Sequence, residues 1–124
     1  MSVPQLGFVL LFVSNPQKSG EFYKNLFDIN PVESSPTFVL FGLKNGVMLG
    51  LWSKYTAEPR VEATTGAQEI CFPVEDVNGL YIAWEPKLLT IIQKPTDMDF
   101  GRTFVFLDPD GHRIRMYKLS EVKA

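Results

Sequence analysis

Apolar and polar positions fall into the same order twice along the chain. Phe8-Val9-Leu10-Leu11-Phe12-Val13 is a continuous apolar run of strand length. Ser14-Asn15-Pro16 follows: Ser14 or Asn15 can accept a backbone N–H as helix N-cap, and Pro16 suits a first helical turn. From Pro16 to Phe27, the residues Phe22, Tyr23, Leu26 and Phe27 recur at helical spacing, and Asn30-Pro31 breaks the pattern. Strands are expected near residues 31–33, 37–43 and 47–52. The last two are joined through Asn45-Gly46, a pair that tolerates the positive φ of a hairpin turn.

The second half repeats this order. Gln68-Glu69-Ile70-Cys71-Phe72-Pro73-Val74 reads as a strand, and Glu75-Asp76 supplies a cap and a favourable charge at a helix start. Val77, Leu80, Tyr81 and Trp84 give the helical stripe, which Pro86 is expected to stop. Strands follow near 88–94, 102–107 and 113–119, the last two joined by Asp108-Pro109-Asp110-Gly111. Each half is therefore β-α-β-β-β. The expected organisation is one domain over residues 1–124, with modules at about 6–52 and 67–119 and a polar linker at 53–66. The repeat lies in pattern and hardly in identity. Each module should be a four-stranded sheet with a helix on one face; the other face must be covered or hold something.

Bulk properties narrow the class. A chain of 124 residues can bury roughly two-thirds of its unfolded surface without a staple. A formal charge of −2 lacks the basic footprint of a nucleic-acid binder. No apolar run approaches membrane-spanning length and no basic-then-apolar leader is present, so no membrane partner is expected. The single Cys71 cannot form an intrachain disulfide, which fits a cytoplasmic protein.

Two segments carry a family resemblance: Ser14-Asn15-Pro16 with Ser19, Phe22-Tyr23 and Leu26-Phe27, and Phe100-Gly101-Arg102-Thr103-Phe104 with Asp108-Pro109-Asp110-Gly111-His112 and Ile114. With the middle strands, the chain resembles the vicinal oxygen chelate superfamily. That superfamily contains glyoxalase I, extradiol dioxygenases, and fosfomycin- and bleomycin-resistance proteins. The resemblance implies an α+β glyoxalase/bleomycin resistance-like fold, in which two βαβββ modules form a half-open, barrel-like cleft. Within the superfamily the chain is similar to the phenazine-resistance group in Trp52-Ser53, in Glu69 opening the second half, and in the run from Phe100 to Phe104.

Metal-dependent members bring four side chains to one ion, and the resemblance places those positions at Phe8, Gly50, Glu69 and Arg115. A divalent ion needs deprotonated O, N or S donors. Phe8 and Gly50 offer none, and Arg115 is a cation. No metal and no other cofactor is therefore expected. Gly50, on this reading, leaves room where a carboxylate would stand.

Strand alternation puts Phe8, Leu10 and Phe12 on one face, as it does Met48, Gly50 and Trp52. In the second half it groups Glu69, Cys71 and Pro73, and Arg113, Arg115 and Tyr117. The family positions imply that these faces line the cleft. A flat aromatic ligand bearing an acceptor would then stack on Trp52 or a Phe, with Arg115 taking the anion. Ordinary readings stand beside these. Trp52 could be a core or interface aromatic, Phe8, Leu10 and Phe12 could be core, and Glu69 with Arg115 could be a structural ion pair. His112 reads as a turn or surface residue, Cys71 as a small apolar strand residue, and Asp108 and Asp110 as turn residues.

The function expected is metal-independent binding and sequestration of a planar aromatic small molecule, of the phenazine antibiotic type, by a homodimer with no catalytic residue. The ligand-binding set is Trp52, Phe8, Leu10, Phe12, Met48, Gly50, Glu69, Arg115 and Tyr117. The alternative is a metal-free lyase or isomerase, with Glu69 as general base and Arg115 or Tyr117 stabilising a developing anion. A third reading is a structural partner that has lost its ligand.

Overall fold

A computed structural model describes residues 3–121. The chain forms two compact units, one ending at Thr65 and one starting at Gly66.

The first unit contains β1 (Phe8–Val13), α1 (Pro16–Phe27), β2 (Glu33–Ser34), β3 (Phe38–Gly42) and β4 (Met48–Ser53). Its sheet order is β1-β4-β3-β2, with β1 parallel to β4 and the other pairs antiparallel. Asn15, rather than Ser14, caps α1: its Oδ1 accepts the Lys18 N–H at 3.2 Å. The helix ends at Phe27 as expected, where Asp28 turns left-handed at φ 55°, ahead of Asn30-Pro31. Aspartate tolerates that region better than most side chains, through local hydrogen bonding. Between β3 and β4 both Asn45 (φ 72°) and Gly46 (φ 78°) take the positive φ expected of them. The turn carries three residues, Lys44–Gly46, in a short 3-10 arrangement.

The helix side of this sheet is the core. Leu11, Val13, Val39, Phe41, Leu49 and Leu51 are buried there, together with Tyr23 and Leu26 of α1. Each such side chain contributes about 1.5–3 kcal/mol by leaving water.

The second unit contains β5 (Glu69–Pro73), α2 (Val77–Ala83), β6 (Thr90–Met98), β7 (Gly101–Leu107) and β8 (Arg113–Leu119). Its order, β5-β8-β7-β6 with β5 parallel to β8, repeats the first. Asp76 caps α2 by accepting the Gly79 N–H at 3.0 Å. Pro86 does not stop this helix. α2 ends at Ala83, and Pro86 sits inside a 3-10 turn, Glu85–Lys87, where its fixed φ and missing N–H cost nothing. β6 runs four residues beyond the expected Lys94, to Met98. Register shifts between Ile91/Gln93 and Gln93/Thr96 carry it past Pro95, which an edge strand accepts.

Aromatics dominate the helix side of this sheet. Phe104 and Phe106 stack at 6.0 Å, Tyr81 meets Phe104 edge-on at 5.3 Å, and Trp84 meets Phe106 edge-on at 6.1 Å. His112 belongs here, fully buried, and not at the surface as a turn histidine might stand. It precedes β8 in phase with Ile114 and Met116, so it faces the core as they do. Its N–H and that of Asp110 both donate to Asp108 Oδ1 at 2.9 Å, which fixes the turn.

Candidate functional site

In the first unit the face away from α1 is aromatic. The register pairs Phe8 with Met48, Leu10 with Gly50 and Phe12 with Trp52 across β1 and β4, and Phe38 with Trp52 across β3 and β4. Two-residue alternation then turns all of them to one side. Phe8 and Leu10 are exposed, at 53% and 38%, and Phe12, Phe38, Met48 and Trp52 are half-buried. Trp52 stands between two rings, Phe12 tilted at 6.2 Å and Phe38 edge-on at 6.3 Å. Phe38 is absent from the residue set read off the sequence, although alternation along β3 opposite Trp52 would have found it.

Gly50 does not leave a gap. It is buried, and a Cβ built on it would run into Leu10 Cδ2 and lie 3.1 Å from a Phe38 ring carbon. Leu10 and Phe38 close over the place where the family resemblance puts a carboxylate. Glycine suits the position by this close approach and not by its backbone angle, since its φ is ordinary.

In the second unit the face away from α2 is polar. β5 and β8 bring Glu69, Cys71 and Pro73 beside Arg113, Arg115 and Tyr117. Arg115 grips Glu69 with Nε donating to Oε2 at 3.1 Å and Nη2 donating to Oε1 at 3.3 Å. Its Nη1 donates to Gln93 Oε1 at 3.2 Å and Thr103 Oγ1 at 3.3 Å, and the Phe100 ring lies 5.8 Å from its Cζ. Arg113 Nε makes a second ion pair with Glu69 Oε1 at 2.8 Å. Cys71 Sγ donates to Glu69 Oε2 at 3.5 Å. Cys71 is thus exposed on the polar face, not packed as a small apolar residue. Tyr117 is half-buried on the same face, between Pro73 and Thr103 in register.

Thr103 and Arg113 were recoverable from strand parity. Gln93 was not, because the register shifts in β6 scramble parity there. Phe100 lies outside the strands, where no periodicity applies.

Electrostatics follow from this packing. Burial pushes the Glu69 carboxyl up, but the Arg115 hydrogen bonds and charge, aided by Cys71 and Arg113, hold it below its ordinary value. Burial raises the Cys71 thiol, and the Glu69 hydrogen bond and negative charge raise it further. Each Glu69 oxygen already has two donor atoms against it, so the carboxylate has no free lone pair with which to act as a base.

The four metal-ligand positions of the wider superfamily do not suit an ion in this chain. Phe8 and Gly50 bear no donor atom, and Glu69 is taken up by two cations. Among the described residues, no three His, Cys, Asp or Glu side chains group as an ion would need.

Two βαβββ units, each with a helix on one sheet face and site-like residues on the other, define the class of protein. A family model for the Glyoxalase/Bleomycin resistance protein/Dioxygenase superfamily matches residues 5–116. The chain belongs to that superfamily. It is 35% identical over 115 residues to the phenazine antibiotic resistance protein EhpR of Enterobacter agglomerans, spanning 89% of this chain and 88% of that one. The solution structure of protein ATC0852 from Agrobacterium tumefaciens matches with a TM-score of 0.80 and 42% identity, covering 96% of this chain and 100% of that chain. TnmS3, an antibiotic binding protein from Streptomyces sp. CB03234, matches with a TM-score of 0.76 over 97% of this chain and 99% of its own. At 19% identity that likeness is one of fold. Among the described residues, no helix is long and apolar enough to cross a membrane.

Proposed function

We propose that the protein binds a planar aromatic small molecule, of phenazine type, and protects by holding it without a metal and without turning it over. The observation that carries this reading is Trp52, half-buried between Phe12 and Phe38 on a sheet face that no helix of its unit covers. The identity with EhpR supports an antibiotic-resistance role at the level of the family.

A flat ring gains about 0.5–1.5 kcal/mol from stacking on an indole beyond simple burial. Phe8, Leu10 and Met48 extend the apolar surface, and Gly50 seats Leu10 and Phe38 on it. In the second unit, Glu69, Arg113, Arg115 and Tyr117 form a polar face of their own. Catalysis with Glu69 as base is disfavoured by its occupied lone pairs and lowered pKa. The exposed Cys71 thiol suits the reducing cytoplasm. The working form in this reading is a homodimer, two-fold dimers being the commonest closed assembly.

Equilibrium dialysis against phenazine-1-carboxylate tests the reading. The compound should accumulate with the protein to a fixed stoichiometry and be recovered chemically unchanged after long incubation. A chemically altered product, or no accumulation at millimolar ligand, would overturn it.

A further inference from the structure

Two guanidiniums share one carboxylate on the second unit's polar face, and they share it unequally. Arg115 has five N–H groups and uses four of them: Nε and Nη2 on Glu69, and both hydrogens of Nη1 on Gln93 and Thr103. Its side chain is only 13% exposed. A guanidinium with one N–H to spare cannot hold a carboxylate by two parallel bonds. Arg113 differs. Its Nε pairs with Glu69 at 2.8 Å, its side chain is 48% exposed, and among the described residues its two terminal amino groups have no acceptor. They carry four N–H donors in the fork geometry that fits a carboxylate.

Charge points the same way. Arg113 and Arg115 bring two positive charges against the single negative charge of Glu69. The side chains beside them are neutral: Gln93, Thr103, the Cys71 thiol and Tyr117. One positive charge is left unmatched on a partly buried face.

We infer that Arg113 is the specificity-determining residue for anionic ligands, receiving a carboxylate on its terminal amino groups, while Arg115 and Glu69 are positioning residues that hold it. This rests on the binding role proposed above and names the ligand class within it: aromatic carboxylates in preference to neutral rings of the same shape. Glu69 fixes the Nε end of Arg113, so the fork is oriented before the ligand arrives. Less freedom is then lost on binding.

Two measurements test it. The first needs no phenazine. Arginine side-chain nitrogen–proton signals are followed by NMR as sodium benzoate or benzyl alcohol is added. The Arg113 signal should shift saturably with benzoate and not with benzyl alcohol, and the benzoate response should vanish in Arg113→Gln. A benzoate response confined to Arg115, or none at either residue, would overturn the assignment. The second compares phenazine-1-carboxylate with neutral phenazine. The wild-type protein should prefer the acid by at least about tenfold, a preference that weakens as salt rises, and Arg113→Gln should bring the ratio to about one. An unchanged ratio in Arg113→Gln would overturn the assignment. If benzoate moves Arg113 while neither phenazine binds, the anion site stands and the phenazine reading falls.

Discussion

Arg115 and Glu69 face each other across β8 and β5 through two parallel hydrogen bonds, at 3.1 and 3.3 Å, and both occupy positions that hold metal ligands in the metal-dependent relatives the sequence resembles. Arg113, bound to the same carboxylate at 2.8 Å, makes the arrangement a three-residue cluster instead of a pair.

This cluster makes stability depend on acid. The Glu69 pKa is lowered from 4.5, so its ionised form is favoured by folding. The stabilisation is fully present above the unfolded value and is lost as pH falls through the lower folded value. Glu69→Gln should therefore cost about 1 kcal/mol near neutral pH, a figure kept small by solvent at a face that is partly exposed. The gap between wild type and variant should close in acid, as pH falls through the lowered Glu69 value. Urea denaturation from pH 7 down to pH 3 measures both limbs, and a gap that widens in acid would contradict the account.

Cys71 should be a slow thiol. Its pKa is raised from 9.0 by burial and then by Glu69, so thiolate is scarce at neutral pH. Alkylation by iodoacetamide at pH 8 should run several-fold slower than for an unstructured cysteine peptide, despite exposure. Glu69→Gln removes the negative charge and leaves two guanidiniums nearby, so it should speed the reaction. Equal rates in the two proteins would show that Glu69 does not control the thiol.

Gly50 is a packing position, and substitution should show it. An added methyl must shift the outer atoms of Leu10 and the Phe38 ring on a partly exposed face, which puts the cost at the low end of overpacking, about 1 kcal/mol. Because Phe38 stands edge-on to Trp52, Gly50→Ala should also disturb the indole, seen as a change in near-ultraviolet circular dichroism. Gly50→Glu should fail to create a zinc site, since Leu10 and Phe38, the side chains over it, carry no donor atom. Stoichiometric zinc in that variant would contradict the reading of this face.

Much of this was legible in the sequence. α1 could be placed to its ends because Asn15, Pro16 and the Phe22–Phe27 stripe all act within one short window. The Glu69–Arg115 contact was expected because the family resemblance puts both residues at positions that share one ion, whereas strand register alone sets Glu69 opposite Arg113. What stayed hidden had non-local causes. The extent of β6 depends on register shifts that let it pass Pro95, and these also hid Gln93. The filling of the space above Gly50 depends on side chains from β1 and β3 meeting over β4. His112 was misplaced for a simpler reason: its turn context outweighed its parity with Ile114 and Met116.

The central claim is that a planar aromatic ligand stacks on Trp52, and tryptophan fluorescence during titration with phenazine-1-carboxylate tests it most directly. Trp84 packs edge-on against Phe106 on the helix side of the other sheet and supplies the background emission. The wild-type protein should show saturable quenching, and Trp52→Phe should retain the Trp84 emission without the saturable component. Trp52→Ala, followed by dialysis, should bind at least tenfold more weakly while staying folded, a loss of about 2–4 kcal/mol for an anchor residue. Unchanged affinity in Trp52→Ala, or saturable quenching that survives in Trp52→Phe, would contradict it.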